Sequence, residues 1–216
     1  MFNVQLVENP SDEQIESAVE ISCICMQNDI AFLCLAGGDK TLMAPMTRAL
    51  LRAGREFGQL YTATDEQGKM VGFALYAPPG KTAYMTEEQR AMGFNDFWAQ
   101  VSDVGKDYYR THLKGEWAEF VNKTLRSPAA IRDTWWLSLL MVRPEHHRQG
   151  IGRALIQPVR DIVVKTGGCF AFNAADVQNV VKYQRMGFEL LDERVFWSPW
   201  GDWPTYVFAF PGAFPE

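Results

Sequence analysis

Residues 134–155 read TWWLSLLMVRPEHHRQGIGRAL. The first nine are almost all apolar, β-branched or aromatic, which predicts a central strand over 134–142 buried on both faces. From Arg148 to about Thr166 the pattern becomes helical, and Gly167-Gly168 supplies a left-handed stop. Pro158 falls inside that helix and predicts a kink. Between strand and helix lies a polar loop ending in Gly150-Ile151-Gly152. Bare glycine backbone lets an anion approach closely, and the first N–H groups of a helix, with its positive dipole end, supply donors and field. Arg148 and Arg153 add charge at the rim. A dinucleotide fold would need a glycine directly after the strand and a third at position 155, which is Leu; a P-loop would need Gly-Lys-Ser/Thr. Both are excluded, while a tight strand-to-helix turn without ligand remains the alternative reading of Gly-x-Gly taken alone.

Working outward, Asn3–Val7 alternates as a short strand, and Ser11 with Gln14 predicts a capping box that opens a helix running to about Leu35, before Gly37-Gly38. A second helix is expected from about Lys40 to Phe57. Leu60–Thr64 and Met70–Tyr76, joined by Asp65-Glu66-Gln67-Gly68, predict a hairpin. Pro78-Pro79-Gly80 ends it, and 77–133 reads as an insertion of two or three aromatic-rich helices. Beyond the central helix come a strand over 169–173, a helix over 177–186 and two strands over 188–197 and 205–210. One domain spanning 1–216 is expected, because no linker divides the chain.

A second signature lies at the end of the 177–186 helix, where Tyr183-Gln184-Arg185-Met186-Gly187-Phe188 gives Tyr-x-x-x-Gly-Phe before a strand. Taken alone, Tyr183 reads as a helix aromatic packing on a sheet. Together, Val-x-Pro-Glu, the polar loop, Gly-x-Gly-x-Ala-Leu and this second signature resemble the GNAT superfamily of acetyl-CoA-dependent N-acetyltransferases. The resemblance covers 134–210 through its motifs and 1–76 through the order of elements; the insertion carries no family motif, and the overall pattern, with its Pro-Pro-Gly break and long insertion, is similar to fungal members. It implies an α/β fold with a mixed, mostly antiparallel sheet of about seven strands flanked by helices. It also implies an acetyl-CoA site on Met141, Val142, His147, Arg148, Gln149, Gly150, Ile151, Gly152 and Arg153, with His147 standing where the family has Arg or Gln. Tyr183 would be the acid that protonates the leaving CoA thiolate. Asn179, one turn earlier on the same side, is either a cofactor neighbour or an exposed polar residue.

The acceptor end is less legible. An amine must lose a proton before it attacks, yet the strand positions where relatives carry a base hold Trp136 and Ser138. Ser138 orients a water in one reading and is a small buried strand residue in the other; Glu116, Glu119 and Asp202 are the carboxylates that would substitute. Trp197, Trp200 and Trp203 fall within seven residues between the last two strands. Trp136, Trp200 and Trp203 are expected to wall an acceptor pocket, with the insertion as its lid, or else to cover a sheet end or a dimer contact. The expected acceptor is a small-molecule primary amine with an aromatic or apolar body; a peptide amine, or a non-catalytic acyl-CoA sensor, is the alternative.

The net charge is −5 with scattered basic residues, which argues against a nucleic-acid partner. No apolar run reaches membrane-spanning length and no leader is evident, so a cytoplasmic monomer or homodimer is expected. The four cysteines and three histidines lack metal-ligand spacing, so no metal is expected and the thiols read as reduced.

Overall fold

The computed structural model describes residues 1–212 and 214. A seven-stranded sheet, ordered β1-β2-β3-β4-β5-β7-β6, is built from β1 (Asn3–Val7), β2 (Gln59–Thr64), β3 (Met70–Ala77), β4 (Trp135–Val142), β5 (Phe170–Ala174), β6 (Glu189–Phe196) and β7 (Trp203–Phe210). Every neighbouring pair is antiparallel except β4 and β5. The expected mixed, mostly antiparallel sheet flanked by helices is present.

On one face lie α1 (Asp12–Met26), α2 (Ile30–Leu35) and α3 (Met43–Phe57), which share a core with Phe73, Leu75, Trp136, Leu139 and Met141 of the sheet. The capping box forms: the Gln14 amide donates to Ser11 Oγ at 3.2 Å, and the Ser11 amide to Gln14 Oε1 at 2.9 Å. The first helix does not run on to Leu35 as the periodicity predicts. It stops at Met26, and Asp29 starts α2 by accepting the Phe32 amide at 2.6 Å, because a short carboxylate offers the backbone a cap in place of a further helical turn.

The opposite face carries α9 (Ile151–Thr166) and α10 (Val180–Arg185), packed with Tyr76, Leu137, Phe170, Phe172 and Phe208. Pro158 is accommodated within α9, which runs unbroken as a single element. The insertion is more finely divided than two or three helices: α4 (Glu87–Ala91), α5 (Phe94–Gln100), α6 (Asp103–Tyr108), a π-helical stretch Tyr109–Trp117, α7 (Ala118–Leu125) and α8 (Ala130–Asp133). Its Val101, Val121 and Leu125 join the core on the α1 face.

Strand β4 is not uniformly buried: Ser138, Leu140 and Val142 are only partly covered. Tyr76 pairs with Leu137 and Leu75 with Leu139, so Ser138 is the extra residue of a β-bulge. A bulge shifts the alternation by one place, sending Trp136, Leu139 and Met141 to the α1 face and Leu137, Leu140 and Val142 to the α9 face. All four cysteines are free thiols. Among the described residues no helix is long and apolar enough to cross a membrane.

Candidate active site

Strands β4 and β5 are parallel neighbours that pair only at Trp135 with Phe170 and Trp136 with Ala171. Beyond those two pairs they diverge, opening the sheet towards the strands' carboxyl ends. Ser138 stands just past the last pair, where the bulge leaves it outside the ladder with β3.

At the end of β4 the chain is bolted down by Arg143, 5% exposed, whose amide donates to Val71 O at 2.8 Å and whose guanidinium meets Glu20 through two 3.1 Å bonds. The same arginine Nε donates to Met70 O at 3.1 Å. A single helical turn follows (Pro144–His146), and one ring nitrogen of His147 lies 2.8 Å from Val142 O, so that imidazole closes the loop on itself. Arg148, with φ 61°, and Gly150, with φ 84°, both occupy the left-handed region and turn the chain sharply into α9. The helix therefore begins at Ile151 and not at Arg148 as the pattern predicts.

The first helical bond runs from the Ala154 amide to Gly150 O. Among the described residues the amides of Gly150, Ile151, Gly152 and Arg153 have no acceptor. A Cβ placed on Gly150 or Gly152 meets nothing within 4 Å. Unpaired N–H groups, open space above the glycines and the flanking Arg148 and Arg153 form a cradle that fits a phosphate. Gln149 is exposed beside it.

Tyr183, on α10, packs edge-on against Phe172 with ring centroids 4.6 Å apart and against Phe208 at 5.3 Å. Its hydroxyl forms no hydrogen bond among the described residues, and burial pushes the phenol up to about 12. Asn179 precedes α10 without a capping side-chain bond, and its Oδ1 accepts from Lys182 Nζ at 2.9 Å.

On the α1 side of the opening lies a cavity of about 490 Å³. Its wall comes from three separated segments: Cys25 to Ala31 at the α1–α2 break, Ala175 to Val177 after β5, and Asp202 to Pro204 at the start of β7. Cys25 Sγ donates to Val142 O at 3.3 Å, which ties this wall to the end of β4. Trp203 lines the cavity and is fixed from behind, with its indole N–H donating to Tyr108 Oη at 2.9 Å and its ring stacked on Phe196.

The other tryptophans do not line this cavity. Trp200 lies across Gly38, where any Cβ would meet the indole at 2.0 Å, and Trp136 is buried edge-on to Trp117. No residue of the 77–133 insertion lines the cavity; the insertion braces it through Tyr108. Glu116 is half-exposed and pairs with His112.

Sequence reasoning missed Asp29 and Asp176, which line the cavity with Asp202. Burial raises the Asp29 carboxyl above the ordinary carboxylate range, and the Asp176 carboxylate adds to that rise against the stabilising bond from Phe32. Because the folded state holds the Asp29 proton more tightly than the unfolded chain does, the charged form is a liability at neutral pH and none once pH falls below the unfolded value. Asp29→Asn, which preserves a cap-forming side chain, is therefore expected to raise Tm at pH 7. That gain should fade as the pH is lowered through the Asp29 titration; thermal melts across pH 3–8 check this. The one available signal was a helix-capping Asp inside an otherwise apolar pattern.

Residues 107–190 match the model of the acetyltransferase (GNAT) domain, a span that includes β4, the cradle, α9, β5 and Tyr183. Among solved structures, the fold is similar to a protein from Corynebacterium glutamicum described as histone acetyltransferase HPA2 and related acetyltransferase. The two are 18% identical over 98% of each chain, with a TM-score of 0.58. It is similar as well to the ribosomal-protein-S18-alanine N-acetyltransferase of Escherichia coli, 16% identical over 100% of this chain and 97% of that one, with a TM-score of 0.52. YjaB of Escherichia coli, in its apo form, is 16% identical over 99% of both chains, with a TM-score of 0.54. These relatives are bacterial, and the fungal likeness finds no support among them. No curated protein matches the chain in sequence.

Proposed function

We propose that this chain, whose residues 107–190 match the model of the acetyltransferase (GNAT) domain, transfers an acetyl group from acetyl-CoA to a small-molecule primary amine by direct attack. The observation that carries the reading is the divergence of β4 from β5 after two residue pairs, directly beside the glycine cradle. A sheet opened there admits an extended chain between two strands, while the cradle takes the charged end of the same molecule.

In this reading the amides of Gly150, Ile151 and Gly152 bind the pyrophosphate, with Arg148 and Arg153 at its rim and Gln149 and His147 on the loop. Met141 and Val142 border the strand end, and Asn179 lies alongside. The amine nitrogen attacks the thioester carbon, a C–N bond forms and the C–S bond breaks. Tyr183 donates to the departing sulfur as general acid, and Ser138 at the bulge orients a water near the reacting carbonyl.

The cavity, of about 490 Å³, has room for a small amine. Ile30, Val177, Trp203 and Pro204 give it apolar wall for the body of the amine.

The test is calorimetric titration with acetyl-CoA and CoA, followed by free-thiol release over a panel of alkyl and aryl amines. Binding with thiol release on small amines is the expected result. Binding without turnover on any amine would favour an acyl-CoA sensor, and no binding would overturn the reading.

A further inference from the structure

The acceptor cavity holds three carboxylates, Asp29, Asp176 and Asp202, and among the described residues no lysine, arginine or histidine lines it. None of the three forms an ion pair among the described residues. They do not belong to one solvated run of charge. Asp29 stands at the α1–α2 break, Asp176 follows β5 and Asp202 precedes β7, so only the tertiary fold brings them to one wall.

Asp29 is partly buried, Asp176 and Asp202 are exposed at the rim, and two of the three are tied to backbone amides. Asp29 accepts the Phe32 amide at 2.6 Å, and Asp176 accepts the Gln178 amide at 2.8 Å. Asp29 is partly buried and feels the neighbouring Asp176 charge, with no cation offsetting it. Like charges gathered around a cavity without compensation are arranged for a cationic guest. The apolar contribution of Ile30, Val177 and Trp203 fits methylenes between two charged ends.

We propose that this cavity selects an acceptor with a second cationic centre, an aliphatic diamine in chemical class. One ammonium is held by Asp176 and Asp202, while the amine to be acetylated faces Asp29, which takes its proton. The inference rests on the acetyltransferase reading above and supplies the base that β4 lacks. The proton passes from the attacking ammonium to the Asp29 carboxylate, the freed lone pair forms the C–N bond, and the thiolate leaves with a proton donated at the sulfur.

The experiment compares thiol release from acetyl-CoA with 1,4-diaminobutane and with butylamine, in the wild-type chain and in the double variant Asp176→Asn/Asp202→Asn. Acetyl-CoA affinity measured by calorimetry reports that the variant is folded. Wild-type kcat/KM is expected to favour the diamine by about fivefold, the upper end of what an exposed charge contact supplies. In the double variant that ratio should fall towards one, and raised ionic strength should narrow it in the wild type. Equal use of the two amines, or a preference that survives in the double variant, overturns the proposal while leaving the acetyltransferase reading intact. Thiol release with neither amine nor any other in the panel, despite tight acetyl-CoA binding, overturns both.

Discussion

Tyr183→Phe should lower kcat by about a hundredfold, the lower end of what a positioned acid contributes, while the acetyl-CoA Kd moves by less than about threefold. The ring packs on Phe172 and Phe208, and its hydroxyl bonds to no protein group among the described residues, so Phe keeps the contacts and leaves no buried partner unsatisfied. Burial pushes the phenol up to about 12, which keeps it protonated throughout any ordinary assay range. A free thiol titrates near 8.5, so complete transfer of the tyrosine proton to the sulfur is uphill by about 5 kcal/mol. Tyr183 is therefore expected to hydrogen-bond the sulfur as the C–S bond lengthens and to pass its proton across only as the N–H proton of the tetrahedral adduct replaces it, so that the amide is left neutral, the thiol is protonated and no free tyrosinate accumulates. Single-turnover and steady-state rates on the variant check this. A variant that turns over at the wild-type rate would remove Tyr183 from the chemistry.

Gly152→Ala should separate stability from binding. Gly152 lies in the first turn of α9 with no positive φ, and an added Cβ meets nothing within 4 Å. The fold alone would favour Ala there, by up to about 1 kcal/mol of helix propensity. The glycine is thus idle in packing and useful only if something from outside approaches that backbone. The expected result is an unchanged or raised Tm together with an acetyl-CoA affinity weakened by about tenfold or more, from a methyl group standing where the pyrophosphate approaches the amides. Gly150 cannot make this test cleanly, because φ 84° would strain any other residue whatever it binds. Thermal melts paired with titration calorimetry decide it. Wild-type affinity in Gly152→Ala would mean that no ligand approaches the cradle at this residue.

Much of this architecture was legible because its determinants are local. A run over 134–142 that is apolar but for Thr134 and Ser138 is read as a central strand, glycines at 150 and 152 mark the turn into α9, and Ser11 with Gln14 announces the start of α1. Each depends on residues within a turn or two of one another. The helix predicted to run through to Leu35 failed on the same ground: its apolar positions continue in helical register across the break, and Asp29 reads as one more polar residue until its carboxylate is seen capping α2. Similarly, Trp197, Trp200 and Trp203 read as one wall, but a turn separates their fates. Trp197 is 57% exposed, Trp200 lies over Gly38 and Trp203 faces the cavity and the core.

By itself the sequence determined the glycine turn into α9, the helix that carries Tyr183 and the order of elements around them, since periodicity, capping and backbone conformation act between near neighbours. Only the tertiary structure decided that β4 and β5 part after two pairs, that Ser138 stands out of register, and that Asp29, Asp176 and Asp202 share one cavity. Those features depend on how strands twist apart and how segments more than a hundred residues distant pack, and no local pattern of side chains encodes such a meeting.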